Sequence, residues 1–346
     1  MKEIKHLKAK KPLKKLFVKL CRMMGYEIID QSNFSVPTLD KKINENLSNF
    51  NHKSITLPLG EVKITRKVSS LDIIIKTCTS VNLVTQSKKR IFEKNKSEYT
   101  FRTINSLINS INYARKIIDK INFNITVIDH NSKNEDLDVI KNALNSVDVD
   151  SRIINLNVND YKKTIIVQNK KNIVVENNMR STMASIKKSF EVANSSDGDL
   201  VYFVEDDYLH KKESILEMLF TYEKISTICE DEVFLCPVDY PYLYMHTKKS
   251  EIFLGHNYHW RTVGESLLTF MTSKKMLSRH IEKLNNMALT EHAPFEIPLH
   301  EIYKNELCLS PVPSLALHCT NVNSVFGLSP NIDWAKIWYD SEKIFT

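Results

Sequence analysis

The chain has 346 residues, 42% of them hydrophobic and 26% charged, an ordinary balance for a globular protein whose length allows two domains or one large α/β domain with an appendage. Six glycines and ten prolines exclude collagen-like and Gly/Ser-rich chains. No G-x-G-x-x-G or G-x-x-x-x-G-K-[ST] occurs, which removes the main support for dinucleotide-binding and P-loop readings. The net charge of +7 is local: residues 1–22 carry +8 and the rest of the chain sums to −1. A nucleic-acid enzyme carries its positive charge around the working groove, so no nucleic-acid partner is expected.

Six cysteines (Cys21, Cys78, Cys229, Cys236, Cys308 and Cys319) form no C-x-x-C pair, and reduced, buried thiols are expected. No apolar run is long enough to span a bilayer, and no signal-peptide core is present. The expected location is cytoplasmic, with a peripheral contact at the inner face of the membrane as an option.

In chain order, residues 1–25 predict a basic amphipathic helix with Leu16, Phe17, Leu20 and Met24 among lysines and Gly25 as its stop. Such a helix suits an anionic membrane surface through residues 1–22; a solvated leader is the plain alternative. Residues 1–70 are read as this helix plus an extension, 71–320 as the catalytic domain and 321–346 as a C-terminal tail. Residues 71–78 (LDIIIKTC) are a β-branched run fit for a buried strand, 101–119 repeat apolar groups at helical spacing, and 125–128 (ITVI) form a second strand ending at Asp129. A helix near 135–145, short apolar runs at 153–157, 164–167 and 173–175, an amphipathic helix over 180–193 and an apolar strand at 200–204 follow. Strands alternating with helices predict an α/β fold whose mostly parallel sheet is covered on both faces.

The segment LVYFVEDDYLH, residues 200–210, delivers Glu205, Asp206 and Asp207 at the C-terminal end of a buried strand, the edge where open α/β sheets bind ligands. Adjacent acids repel unless something cationic sits among them, and a hard divalent metal on a diphosphate does this. A solvated turn that caps the following helix is the alternative. In VIDHNS, residues 127–132, Asp129 ends an earlier strand and would stand at the same edge.

These two segments, with LDIIIKTC and ENNMRSTMASIKKSF, resemble the GT-A, Rossmann-like fold of nucleotide-sugar-dependent glycosyltransferases, in particular the family 2-like group, with E-D-D in place of D-x-D. The resemblance implies that Asp129 contacts the base, Glu205 or Asp206 the ribose, and that Arg180 or Asn178 lines the donor pocket. It implies Asp207 and His318 (in PSLALH, residues 313–318) as ligands of Mn²⁺ or Mg²⁺. His130 replaces the family's second Asp in the base-binding turn. The donor implied is a nucleotide-sugar, with a UDP-sugar favoured, and the acceptor a glycan or glycolipid hydroxyl. Inverting members use a carboxylate base from a separate segment; Glu296 is the first candidate, with Glu291 and Glu301 as rivals. Tyr240, Tyr242, Tyr244, Tyr258, His259 and Trp260 form the densest aromatic zone and suit either sugar stacking or a core edge. Two other readings remain: a sugar nucleotidyltransferase, disfavoured because KTCTSVNLVTQSKKR lacks glycine, and a non-catalytic glycan- or membrane-binding protein on the same scaffold.

Overall fold

The computed structural model describes residues 12–26, 54–57, 60–80, 90–168, 173–245, 249–319 and 328–345. Helix α1 (Pro12–Met23) is followed by a hairpin of β1 (Ser54–Leu57) and β2 (Gly60–Lys63). The α/β body then runs β3 (Ser70–Thr77), α2 (Lys96–Arg115), β4 (Asn122–Asp129), α3 (Asn134–Asn145), β5 (Asp150–Asn155), α4 (Ile173–Ser195) and β6 (Leu200–Glu205). After it come β7 (Tyr208–His210), α5 (Ser214–Cys229), β8 (Phe234–Leu235), β9 (Ile252–Leu254), β10 (His259–Thr262) and β11 (Phe270–Ser273). Helices α6 (Lys274–Arg279), α7 (Ile281–Leu289) and α8 (Ile297–Tyr303), strands β12 (Cys308–Val312) and β13 (Ala316–His318), and helix α9 (Trp334–Asp340) complete the described chain.

The main sheet has nine strands in the order β5-β4-β3-β6-β11-β8-β12-β10-β9. Strands β5, β4, β3 and β6 are mutually parallel, and within this sheet β10 and β11 run against the others. The expected α/β class with a mostly parallel sheet is what the chain forms. The uninterrupted apolar runs have the predicted cause: Ile73, Ile74 and Ile75 of β3 and Leu200 to Val204 of β6 are buried, as central parallel strands covered on both faces must be.

The connections decide where a crevice opens. From β3 the chain moves outward through α2 to β4 and through α3 to β5, then returns through α4 to β6 on the other side of β3. With right-handed crossovers, α2 and α3 cover one face and α4 the other. Helix α4 accordingly lies over β3 and β4 with α6 and α7, while α2 packs against α3 and α5. The strand order reverses between β3 and β6, and ligands bind at the carboxyl ends of such a switch point.

Some local expectations shift. Residues 173–175 are the first turn of α4 rather than a separate run, and Ile166 makes one isolated bridge to Thr290. The predicted stop at Gly25 is realised with φ +83°, as the Tyr26 amide bonds the Cys21 carbonyl (2.9 Å) and the Gly25 amide that of Arg22 (3.0 Å), the double bond of a Schellman motif. Residues 1–11, the tip that holds much of the predicted basic helix, lie outside the described residues, as do 81–89 of the glycine-free loop. Among the described residues no helix is long and apolar enough to cross a membrane.

Candidate functional site

Parallel register brings the chemistry together. Thr77 pairs with Asp129 across β3 and β4, and Lys76 with Glu205 across β3 and β6. All four therefore end at one sheet edge, beside the switch point. The acidic segment does not cap the next helix: β7 intervenes, and α5 begins only at Ser214. Antiparallel pairing of β7 with β13 sets Tyr208 opposite His318. Their rings stack with centroids 4.5 Å apart, which carries the His318 Nε2 to 3.7 Å from the Asp207 carboxylate.

Each of the three consecutive acids has a cation of the chain's own. Lys76 Nζ stands 3.2 Å from Glu205, Lys96 Nζ donates to Asp206, and Arg90 Nη2 lies 3.2 Å from Asp207. Asp206 also accepts from the Thr100 hydroxyl (3.0 Å) and the Cys78 amide (3.2 Å). Burial works to raise the Asp207 carboxyl, but His318, Arg90, Lys96 and Lys76 outweigh it, and the group sits below its ordinary value. Burial pushes the His318 imidazole down, against the pull of Asp207 and Glu205. Lys76, Arg90 and Lys96 were absent from the sequence reading. A lysine inside the apolar run LDIIIKTC was a usable signal for Lys76; nothing local marked Arg90 or Lys96.

The donor set does not fit the Mn²⁺ or Mg²⁺ that the resemblance implies. Among the described residues no group of three His, Cys, Asp or Glu side chains is arranged to hold a metal ion. Of the acids at this edge, Asp207 is already paired with Arg90, and Asp206 spends its oxygens on three donors of its own chain.

Asp129 reaches the same edge and is buried. Its Oδ1 accepts from the hydroxyls of Thr77 (2.7 Å) and Ser132 (2.5 Å), and its Oδ2 from the Ser132 amide (3.1 Å). The Ser132 hydroxyl in turn accepts from the Thr79 amide at 2.9 Å. These bonds lock the β4 turn against the end of β3. Arg180 pairs with Glu176 within α4 (2.9 Å) and ties the helix to the preceding loop by donating to the Ile165 carbonyl (3.1 Å); no described contact brings it to the acidic cluster.

The three candidate bases separate cleanly. Glu301 is an exposed partner of Lys304. Glu291 accepts from the Gln168 amide at 2.6 Å and so fastens residues 166–168 to the end of α7. Glu296 is 7% exposed at the N-cap of α8, yet its carboxylate makes no capping bond. Burial first, then the charge of Glu205, pushes its carboxyl up to about 7, with Lys76 opposing. Glu296 thus feels the same Glu205 and Lys76 that end the parallel strands, and a group poised there is matched to proton abstraction near neutral pH.

The aromatic zone divides as well. Tyr240 bonds the Tyr208 hydroxyl at 2.7 Å and lies 5.7 Å from the Tyr242 ring, and burial with the charges of Glu265 and Glu296 raises Tyr242. Tyr240 is fully buried and Tyr242 half-buried. Trp260 is fully buried and donates to Glu217 at 3.2 Å. It is a core residue, whereas Tyr258 is half-buried and donates its hydroxyl to Glu213 at 2.8 Å.

No protein-family model matches the sequence, and no curated relative matches it. Solved structures similar in backbone include S. aureus TarS 1–349, at 12% identity and TM-score 0.39 over 70% of this chain and 57% of that one. The galactosyltransferase LgtC in complex with donor and acceptor sugar analogues aligns at 11% identity and TM-score 0.36, over 80% of this chain and 96% of its own. A UDP-glucose pyrophosphorylase complexed with UDP-glucose aligns at 8% identity and TM-score 0.39, over 74% and 96%. The chain spans little more than half of the TarS fragment. Likeness at this level does not decide activity, which rests on the chemistry of the site.

Proposed function

We propose that the protein is a glycosyltransferase of GT-A type that moves a sugar from a nucleotide-sugar, with a UDP-sugar favoured, to a hydroxyl of a glycan or glycolipid. The observation that carries this reading is Glu296: a buried carboxyl poised at about 7, in the field of Glu205 and Lys76 at the switch-point edge. Glu296 takes the proton of the acceptor hydroxyl, the freed oxygen attacks the anomeric carbon, and the bond to the diphosphate breaks with its electron pair passing to the leaving phosphate. Attack opposite the leaving group inverts the centre. The cations at the edge favour the negative charge that develops there, and the half-buried Tyr242 suits a sugar face beside the base. A buried carboxyl poised at about 7 favours this reading over a nucleotidyltransferase, which has no need of such a base.

The test is nucleotide-sugar turnover with UDP-, GDP-, CMP- and dTDP-sugars, read as nucleotide release, alongside thermal stabilisation by the free nucleotides. Ligand at 100 times its Kd stabilises by about 2.7 kcal/mol. Stabilisation by one nucleotide, with turnover lost and binding kept in Glu296→Gln, supports the transferase. No binding to any nucleotide overturns it in favour of a non-catalytic binding protein.

The acceptor side includes a membrane contact. Leu16, Phe17, Leu20, Met23 and Met24 are exposed along one side of α1 with Lys19 and Arg22, the face of an interfacial helix. Co-sedimentation with vesicles containing anionic lipid, but not with purely zwitterionic ones, is the expected result; deletion of residues 1–25 abolishes it.

A further inference from the structure

The acidic edge carries three acids and three cations, and the cations are the less explained half. Arg90 is the most informative. Its side chain is 9% exposed, one nitrogen meets Asp207 at 3.2 Å, and its plane lies over the Tyr99 ring with Cζ 5.0 Å from the centroid. Its Nε and Nη1 are buried with no hydrogen-bond partner among the described residues. A guanidinium has five N–H donors in a rigid fork, and buried donors are normally satisfied. Here part of the fork is held in place by an acid and a ring while the remaining donors have no acceptor among the described residues.

Lys96 stands one step away, on Asp206, at the first turn of α2. Lys76 completes the set on Glu205. Three carboxylates matched by three cations leave this edge charge-balanced, so net charge favours neither a divalent ion nor an oxyanion. The difference lies in hydrogen bonding: the Nε and Nη1 groups of Arg90 only donate, and an oxyanion accepts. Each of these N–H groups suits one phosphoryl oxygen, in a charge-assisted hydrogen bond.

We propose that Arg90, assisted by Lys96, grips the diphosphate of the nucleotide donor in the role that a divalent metal plays elsewhere, so that donor binding needs no metal ion. Asp207 and His318 are then positioning residues: Asp207 holds the guanidinium through one nitrogen, and His318, stacked on Tyr208, backs Asp207. This inference rests on the glycosyltransferase reading above, because it names how that donor is held.

The experiment is calorimetric titration of the full chain with UDP, GDP, CDP and dTDP, each in EDTA and each with Mn²⁺ or Mg²⁺, for the wild type, Arg90→Met, Arg90→Lys and Lys96→Met. The expected result is one nucleoside diphosphate that binds in EDTA within about threefold of its affinity with metal. Arg90→Met then weakens it by at least about 30-fold, the size seen when one member of a buried charge pair is removed, with no rescue by metal. Arg90→Lys, which keeps the charge and loses the fork, recovers part of the affinity and shows that the loss is not misfolding; thermal melts of each variant check the same point. Binding that collapses in EDTA and returns with Mn²⁺, or that is untouched in Arg90→Met, overturns the inference and leaves the transferase reading standing. No nucleotide binding under any condition overturns the transferase reading itself.

Discussion

The two ends of the parallel sheet are both acidic, and they use their acids differently. At the carboxyl end, Glu205, Asp206 and Asp207 each face a cation, Asp129 is spent on its own turn, and Glu296 is buried without a capping bond. At the amino end, a groove of about 1250 Å³ is lined by Asp72, Asp119, Asp148, Asp150 and Asp197 with Arg115. It is roomy, but four of those five acids are exposed to water, where charges are cheap and screened. Size of opening and density of acid therefore do not locate function here. Burial does, because a carboxylate removed from water must be bonded, paired or shifted, and all three occur at the carboxyl end.

Replacing acids at both ends tests that contrast. The largest effect belongs to Glu296. Glu296→Gln lowers kcat by about 10²- to 10⁴-fold, the usual worth of a general base, while nucleotide affinity stays put; the wild-type rate rises with pH through about 7 and that limb vanishes in the variant. The same group has a stability signature. Its carboxyl is raised from 4.5 to about 7, so between those values the folded chain binds more protons than the unfolded one, and stability falls as pH rises. The contribution is complete below about 4.5 and lost through about 7. Glu296→Gln removes this dependence, and in urea melts its advantage over wild type is greater at pH 8 than at pH 5 by about 3 kcal/mol. A pH-independent difference breaks the assignment.

Next in size, Asp206→Ala leaves Lys96, the Thr100 hydroxyl and the Cys78 amide without their shared acceptor. The expected loss is about 3 kcal/mol of unfolding free energy, as for a buried pair deprived of one partner. Smallest are the amino-end changes. Asp119→Asn and Asp197→Asn, both at exposed positions, alter stability by less than about 0.5 kcal/mol and leave turnover unchanged. If they match Asp206→Ala in either measurement, the distinction between the two ends fails.

Much of the fold was legible because it rests on local pattern. The β-branched runs around Ile73 and Val201 could satisfy their apolar faces only as central strands, and the helical spacing after each of them set the βαβ alternation. The E-D-D run marked the candidate edge because acids at the end of so apolar a strand must be paired, bonded or solvated. What pairs with them was not legible. The expected partner was a metal; the partners found are Lys76, Arg90 and Lys96, which belong to a strand end, a loop and a helix start. Likewise Trp260 had the composition of a sugar-stacking residue and is core, since Glu217 on α5 satisfies its indole N–H from far along the chain.

The sequence by itself determined which strands are buried, where α1 stops at Gly25 and that acids crowd one strand end, because those features depend on neighbours in the chain. Only the tertiary structure buried Glu296, left Glu301 exposed, bonded Glu291 to a backbone amide and matched each acid with its cation. Desolvation and Coulomb interaction act through space, and they are set by which distant segments the sheet's reversal between β3 and β6 brings to the same edge.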